Sequence, residues 1–149
     1  MPGETGRATV FAAPRSVLAP MAPARAGWDD QRVHHTVLVV DDHAEFRASA
    51  GALLEAGGFS VVGEASGGLD AIAEVRRLRP DVVLLDVQLP DLDGIEVAGR
   101  LASLADPPAV VLISSRDAAA YGPRLAAARA LGFIFKRDLS GAGLANVLG

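Results

Sequence analysis

The strongest constraint in the 149-residue chain is a rhythm of five short, continuous apolar runs, each followed by a stretch of helical period. The runs are Val37-Leu38-Val39-Val40, Phe59 to Val62, Val82-Val83-Leu84-Leu85, Val110-Val111-Leu112-Ile113 and Phe133-Ile134-Phe135. They are rich in β-branched residues and bounded by Gly, Pro or Asp, which reads as strand. Continuous rather than alternating apolarity predicts strands covered on both faces, as in a parallel sheet. Between the runs, Phe46, Ala50, Leu53 and Leu54 put an apolar stripe on a first helix that stops at Gly57-Gly58. Ala71, Ile72, Val75 and Leu78 do the same for a second, ended by Pro80. Ile95, Ala98 and Leu101 mark a third helix, and a short fourth starts near Pro123 with Leu125, Ala128 and Leu131 inward. A fifth, near Leu139 to Leu148, is interrupted by Gly141 and Gly143. Five strand–helix units in a row predict an α/β, doubly wound open sheet with right-handed crossovers. Ligands of such sheets sit beyond the carboxyl ends of the strands.

The rhythm begins at Thr36. Residues 1–35 hold four of the nine prolines (Pro2, Pro14, Pro20 and Pro23) and alternate Ala, Pro and Arg without a period. They are expected to form a disordered extension, with 36–149 as the folded domain. Met21 offers a second translation start within that extension. The apolar pieces Val10 to Ala13 and Val17 to Ala19 are split by Pro14 and Arg15, so no secretory core forms. No run approaches the roughly 18 to 20 apolar residues that span a membrane, and a cytoplasmic setting is expected. The absence of cysteine excludes disulfides, thiolate metal sites and cysteine nucleophiles. A net charge of -4 disfavours a nucleic-acid footprint, so no direct DNA binding is expected. Of the 14 basic residues only Lys136 is lysine, which singles that position out.

Lys136 ends the fifth strand. The first ends in Asp41-Asp42, the third in Asp86 and the fourth in Ser114-Ser115. A parallel sheet brings all of these to one edge. Three carboxylates at low local dielectric repel one another and raise each other's pKa unless a cation neutralises them. A hard cation with oxygen ligands does so, and magnesium suits a site that also meets a phosphoryl group. The Lys136 ammonium adds positive charge, and the Ser114 hydroxyl can donate to an oxygen that becomes negative. This set is suited to phosphoryl transfer. Taken singly, Asp42 or Asp117 reads as a helix cap, Ser114 as turn chemistry and Lys136 as solvated surface. Jointly they do not, because four of five strands end in a residue suited to one reaction. Lys136 also stands where arginine prevails elsewhere, and a compact ammonium suits a phosphoryl oxygen better than a planar fork.

The pieces VLVVDDH, VVLLDVQLPDLDG, LISS and GFIFK, in this order and spacing, closely resemble the receiver domain of two-component response regulators over residues 36–149. The resemblance implies a flavodoxin-like (βα)5 fold with a five-stranded parallel sheet in the order 2-1-3-4-5. It implies Asp86 as phosphoacceptor, taking the group from a histidine kinase phosphohistidine, a phosphotransfer protein or a small phosphodonor. Asp42 and Asp86, with the backbone carbonyl of Gln88, would hold Mg2+ directly, and Asp41 directly or through water. Lys136 would pair with Asp86 at rest and with a phosphoryl oxygen afterwards. Ser114 would move to bond the phosphoryl group and the Phe133 ring would follow it inward, biasing a two-state surface around the fourth helix and fifth strand. Pro90 and Gly94 would shape the loop after Asp86, while Gln88 and Arg116 would govern water access.

On this reading the chain is a signalling switch rather than an enzyme with a turned-over substrate. It would act on a downstream protein partner, and a phosphorylation-dependent homodimer is compatible with it. Three departures from the pattern stand out, one being that no DNA-binding or enzymatic domain follows the fifth helix, so a stand-alone receiver or a fragment of a longer regulator is expected. Phe133 replaces a common tyrosine, and Arg137 follows Lys136 where proline is frequent, so a trans bond is expected there. Two other functions compete: a degenerate receiver acting as an unphosphorylated interaction module, and an Asp-nucleophile phosphohydrolase. The second wants Asp-x-Asp after the first strand, and here Asp86-Val87-Gln88 follows the third. Asp91-Leu92-Asp93-Gly94 brushes a calcium-loop pattern but lacks its later ligands and reads as a turn. His34, His35 and His43 have no metal-ligand spacing and read as surface.

Overall fold

The computed structural model describes residues 8–10 and 35–149. Six strands, β1 (Ala8–Val10), β2 (Thr36–Val40), β3 (Ser60–Ala65), β4 (Val82–Asp86), β5 (Ala109–Ser114) and β6 (Gly132–Phe135), form one sheet. Their spatial order is β1-β6-β5-β4-β2-β3. The five strands from Thr36 onward are parallel to one another and, counted from β2, follow the expected order 2-1-3-4-5. The helices are α1 (Ala44–Ala56), α2 (Gly68–Leu78), α3 (Gly94–Ala102), α4 (Pro123–Ala126) and α5 (Gly141–Leu148).

β1 lies within the stretch expected to form a disordered extension. Ala8, Thr9 and Val10 pair antiparallel with Ile134, Phe133 and Gly132, adding a sixth strand at the β6 edge. The rest of the extension, with Met21 and His34, lies outside the described residues.

Period-two alternation along the strands splits the apolar runs between two cores. Leu38, Val40, Val83, Leu85 and Leu112 join Ala71, Val75, Val97, Leu101 and Leu125 on one side of the sheet. Val37, Val39, Val82, Leu84, Val111 and Ile113 join Ala50, Leu54, Leu144 and Val147 on the other. Each fully buried Val or Leu contributes about 1.5 to 3 kcal/mol, so covering both faces is what the continuous apolar runs make favourable.

Three local expectations shift. Strand β3 starts at Ser60, one residue past Phe59, and its burial is partial, with Val62 37% exposed, because it is an edge strand. Leu53 is 46% exposed, since the buried stripe of α1 runs through Ala50 and Leu54, four apart, and Leu53 lies beside it. The fourth helix shrinks to a single turn. A 3-10 turn at Ala118–Tyr121 precedes it and Gly122, at φ 61 and ψ -145, separates the two. Leu125 and Ala128 are buried as expected, whereas Leu131 is half-buried and packs against the opposite core.

Strand register is what aligns the site. The Thr36 amide and hydroxyl donate to Asp81 Oδ2 at 3.0 and 3.2 Å, and the Asp81 amide donates back to Thr36 Oγ1 at 2.9 Å. This clamps the starts of β2 and β4 together. Val40 then lies opposite Leu85, Asp86 opposite Ile113 and Ser114 opposite Phe135. The next residue along each of β2 and β6 is Asp41 and Lys136. No cis peptide occurs among the described residues, in keeping with the trans bond expected before Arg137. No helix among them is long and apolar enough to cross a membrane.

Candidate functional site

At the carboxyl edge the structure brings Asp41, Asp86 and Lys136 into direct contact. Lys136 Nζ donates to Asp86 Oδ2 at 3.0 Å and lies 2.5 Å from Asp41 Oδ2. Asp41 and Asp86 are both buried. The backbone fixes each carboxylate: the Gln88 amide donates to Asp86 Oδ1 at 3.0 Å and the His43 amide to Asp41 Oδ1 at 2.7 Å. Asp41 is held further by its own amide bonding the Ala65 carbonyl and by Arg47 Nη1 donating to its carbonyl at 2.6 Å. Arg47 is in turn oriented by Glu64 at 2.8 Å.

The electrostatics divide the pair. Burial pushes the Asp86 carboxyl up to about 6, although the Gln88 amide and the Lys136 ammonium pull the other way. Burial also works to raise Asp41, but the Lys136 ammonium and the His43 amide outweigh it and hold that carboxyl below its ordinary value. Lys136 loses from burial and gains more from the two carboxylates, so it ends above the ordinary lysine value and stays charged. Asp86 is therefore the more basic of the two carboxylates.

Asp42 sits outside this contact. It is exposed, and His43 Nδ1 joins it to Asp41 at 3.0 and 3.2 Å respectively. Asp41, Asp42 and His43 offer ligand atoms within 4.8 Å of one another, so His43, exposed as expected of a surface residue, is nonetheless part of the acidic cluster. Gln88 is exposed and touches Asp86 through its amide. Ser114 is fully buried, and its Oγ hydrogen bonds run to the Tyr121 phenol at 2.5 Å and from the Arg116 amide at 2.9 Å. Phe133 is buried with its ring 6.4 Å from that of Tyr121.

The loop after Asp86 is tightly constrained. Gly94 N donates to the Val87 carbonyl at 2.8 Å, and a Cβ on Gly94 would lie 2.2 Å from the Asp86 carbonyl oxygen. No side chain fits there. Asp91 accepts from the Gly68 and Leu69 amides at 2.7 and 3.0 Å, capping α2 from outside, and these bonds hold its carboxyl below the ordinary value. Asp93 caps α3 through the Ile95 amide at 2.7 Å. Both carboxylates of the Asp-x-Asp sequence thus serve helix ends, as a turn requires. Asp117 likewise caps the 3-10 turn.

Two residues escape sequence reasoning. Phe46, read only as part of an apolar stripe, places its ring centroid 4.8 Å from Lys136 Nζ. Tyr121 lies in a segment with no period, and nothing in the sequence signals its bond to Ser114.

Known proteins share this fold and stretches of this sequence. The family profile of the response regulator receiver domain matches residues 37–142. The chain is similar to response regulator GacA of Pseudomonas viridiflava, 36% identical over 113 residues, covering 75% of this chain and 51% of that protein. It is similar to protein-glutamate methylesterase/protein-glutamine glutaminase 5 of Myxococcus xanthus, 50% identical over 80 residues, or 53% of this chain and 23% of that one. The BeF3-activated N-terminal receiver domain of RstA from Klebsiella pneumoniae aligns at a TM-score of 0.66 with 28% identity, covering 75% of this chain and 94% of that chain. The chain spans about half the length of relatives such as GacA. With the fold, the strand-end cluster and a profile match over most of its length in agreement, the chain belongs to the response regulator receiver domain family.

Proposed function

We propose that Asp86 accepts a phosphoryl group from a phosphohistidine, on a histidine kinase or a phosphotransfer protein, and that the phosphorylated domain signals to a downstream protein partner in the cytoplasm. The observation that carries this reading is the bridge from Lys136 to Asp41 and Asp86 at the ends of three parallel strands. A sole lysine spanning two buried carboxylates provides an ammonium that can pass from the nucleophile to a phosphoryl oxygen as charge develops there.

The residues fit a magnesium ion. Asp41 Oδ2 is buried against the Lys136 ammonium, and Asp41, Asp42 and His43 offer ligand atoms within 4.8 Å of one another. The neighbouring donors are hard oxygens, as magnesium prefers. Asp41, Asp42, Asp86 and the Gln88 carbonyl would hold the ion, which supplies positive charge to the phosphoryl oxygens when bound. The chain's own residues do the rest. An Asp86 carboxylate oxygen forms the new O–P bond as the N–P bond of the phosphohistidine breaks, and the departing imidazole takes up a proton from solvent. The Gln88 amide and Lys136 orient Asp86 for that approach. Lys136 then turns to a phosphoryl oxygen, and the Ser114 hydroxyl donates to another.

Incubation with acetyl phosphate and magnesium, followed by intact-mass measurement, tests this. One added phosphate in the wild type and none in Asp86→Asn supports the proposal. A folded wild type that gains no phosphate favours the unphosphorylated interaction module instead.

A further inference from the structure

We infer that the Tyr121 phenol holds the Ser114 hydroxyl in the resting domain and has to release it before Ser114 can serve a phosphoryl group on Asp86. Tyr121 is thus a positioning residue of the switch, and the inference rests on the phosphoacceptor reading of Asp86.

A serine hydroxyl has one proton to give and two lone pairs to fill. The Arg116 amide fills one lone pair of Ser114 Oγ at 2.9 Å. Ser114 is sealed from solvent, so its proton needs an acceptor within the protein, and leaving a buried donor without one is costly. Tyr121 Oη, at 2.5 Å, is the acceptor the described residues provide. Tyr121 faces a different environment. It is half-buried and lines an open groove of about 490 Å³ with Gln88, Pro90, Arg116 and Arg124, so its own proton can go to water. The balanced resting arrangement therefore has Ser114 donating to Tyr121.

A phosphoryl oxygen is a charged acceptor and competes for the same proton with a stronger bond. Ser114 cannot give its single proton to both. Capture by the phosphoryl group ends the bond to Tyr121, and the phenol is freed at the end of the 3-10 turn, beside Gly122. The Tyr121 ring lies against Phe133, which has no hydroxyl of its own. Removing the phenolic oxygen deletes a resting-state bond only, so it should shift the population toward the phosphoryl-bound arrangement.

Beryllofluoride with magnesium, titrated calorimetrically into the full chain, provides the test. Tyr121→Phe should tighten binding about 3- to 10-fold, the worth of one neutral hydrogen bond. In a Ser114→Ala background the same substitution should change affinity less than about 2-fold, because no proton remains to be released. Unchanged or weaker binding by Tyr121→Phe, or an equal gain in the Ser114→Ala background, overturns the inference. A folded wild type that binds no beryllofluoride fails earlier and removes the phosphoacceptor reading with it. Tyr121 is the only tyrosine in the chain, so 3-fluorotyrosine gives a single 19F resonance that needs no substitution. That resonance should move when beryllofluoride binds; a signal that stays in place while binding is measured also overturns the inference.

Discussion

Two neighbouring regions of the carboxyl edge are held in very different ways. The cluster of Asp41, Asp86 and Lys136 rests on strands buried on both faces, and each carboxylate has a backbone amide as well as the shared ammonium. The stretch between β5 and β6 is a 3-10 turn, a glycine at φ 61, a four-residue helix and further turns. Leu125, Ala128 and Ala130 anchor it, with the exposed Arg124–Asp93 pair on its outer side. By contrast α2 and α3 run 11 and 9 residues with regular buried stripes. Local stability follows buried contact and regular hydrogen bonding, so the proposed phosphoacceptor cluster sits on the stiffer region and Tyr121 on the one with less regular hydrogen bonding.

Substitutions can break or sharpen this contrast. The largest effect should come from Gly94→Ala. Its Cβ meets the Asp86 carbonyl and the Val87 Cα, which are backbone atoms and cannot swing aside. A loss of at least about 3 kcal/mol in urea denaturation is expected, with loss of phosphate uptake. A well-folded, active variant would show that the stiff region is softer than its contacts imply.

Next is the pH dependence of stability in metal-free buffer. Asp86 has a folded value near 6 against an ordinary 3.8, so the folded chain binds the proton more tightly. Its contribution to stability is full below about pH 4 and is lost as pH rises through 6, an effect of roughly 2 to 3 kcal/mol. Asp41, held low, runs the other way, its contribution being present above its unfolded value and lost on acidification. Subtracting the Asp86→Asn profile isolates the first effect. If the two profiles are parallel from pH 4 to 7, burial does not raise Asp86.

Lys136→Arg keeps the charge but replaces a compact donor that bridges two carboxylates with a planar fork. Phosphate uptake from acetyl phosphate should fall roughly tenfold, or about 1.4 kcal/mol in activation energy. Uptake at the wild-type rate would remove any special meaning from the scarcity of lysine. The smallest effect belongs to Arg124→Ala, which breaks an exposed pair with Asp93. Stability should change by less than about 1 kcal/mol in thermal unfolding. A larger loss would mean that the stretch after β5 is pinned from outside and is less ready to move than its sparse core suggests.

What could be read from the sequence tracks which interactions are periodic. Val37 to Val40, Val82 to Leu85 and Val110 to Ile113 announce themselves because both faces of each strand are apolar. The strand-end residues Asp41, Asp86, Ser114 and Lys136 follow once the strands are parallel. Leu53 and Val62 misled because an apolar residue at the margin of a stripe or on an edge strand looks the same in sequence as one inside. Tyr121 and Phe46 were illegible as site residues for another reason. Tyr121 reaches Ser114, seven residues earlier, across an irregular turn, and Phe46 meets Lys136 through a ring face, and no spacing rule encodes either. Ala8–Val10 is too short to show a period, and its pairing partner lies more than 120 residues away.

That short strand has a consequence for the edge of the sheet. The Leu131 amide bonds inward to the Val110 carbonyl, so by alternation the Gly132 and Ile134 peptide groups face outward, toward Val10 and Ala8. Seating β1 on them partners peptide groups that would otherwise face solvent at the sheet edge, and each hydrogen bond so formed contributes about 0.5 to 1.5 kcal/mol. Without residues 8–10 the outer side of β6 would be an open row of donors and acceptors, the kind of edge on which another strand can add.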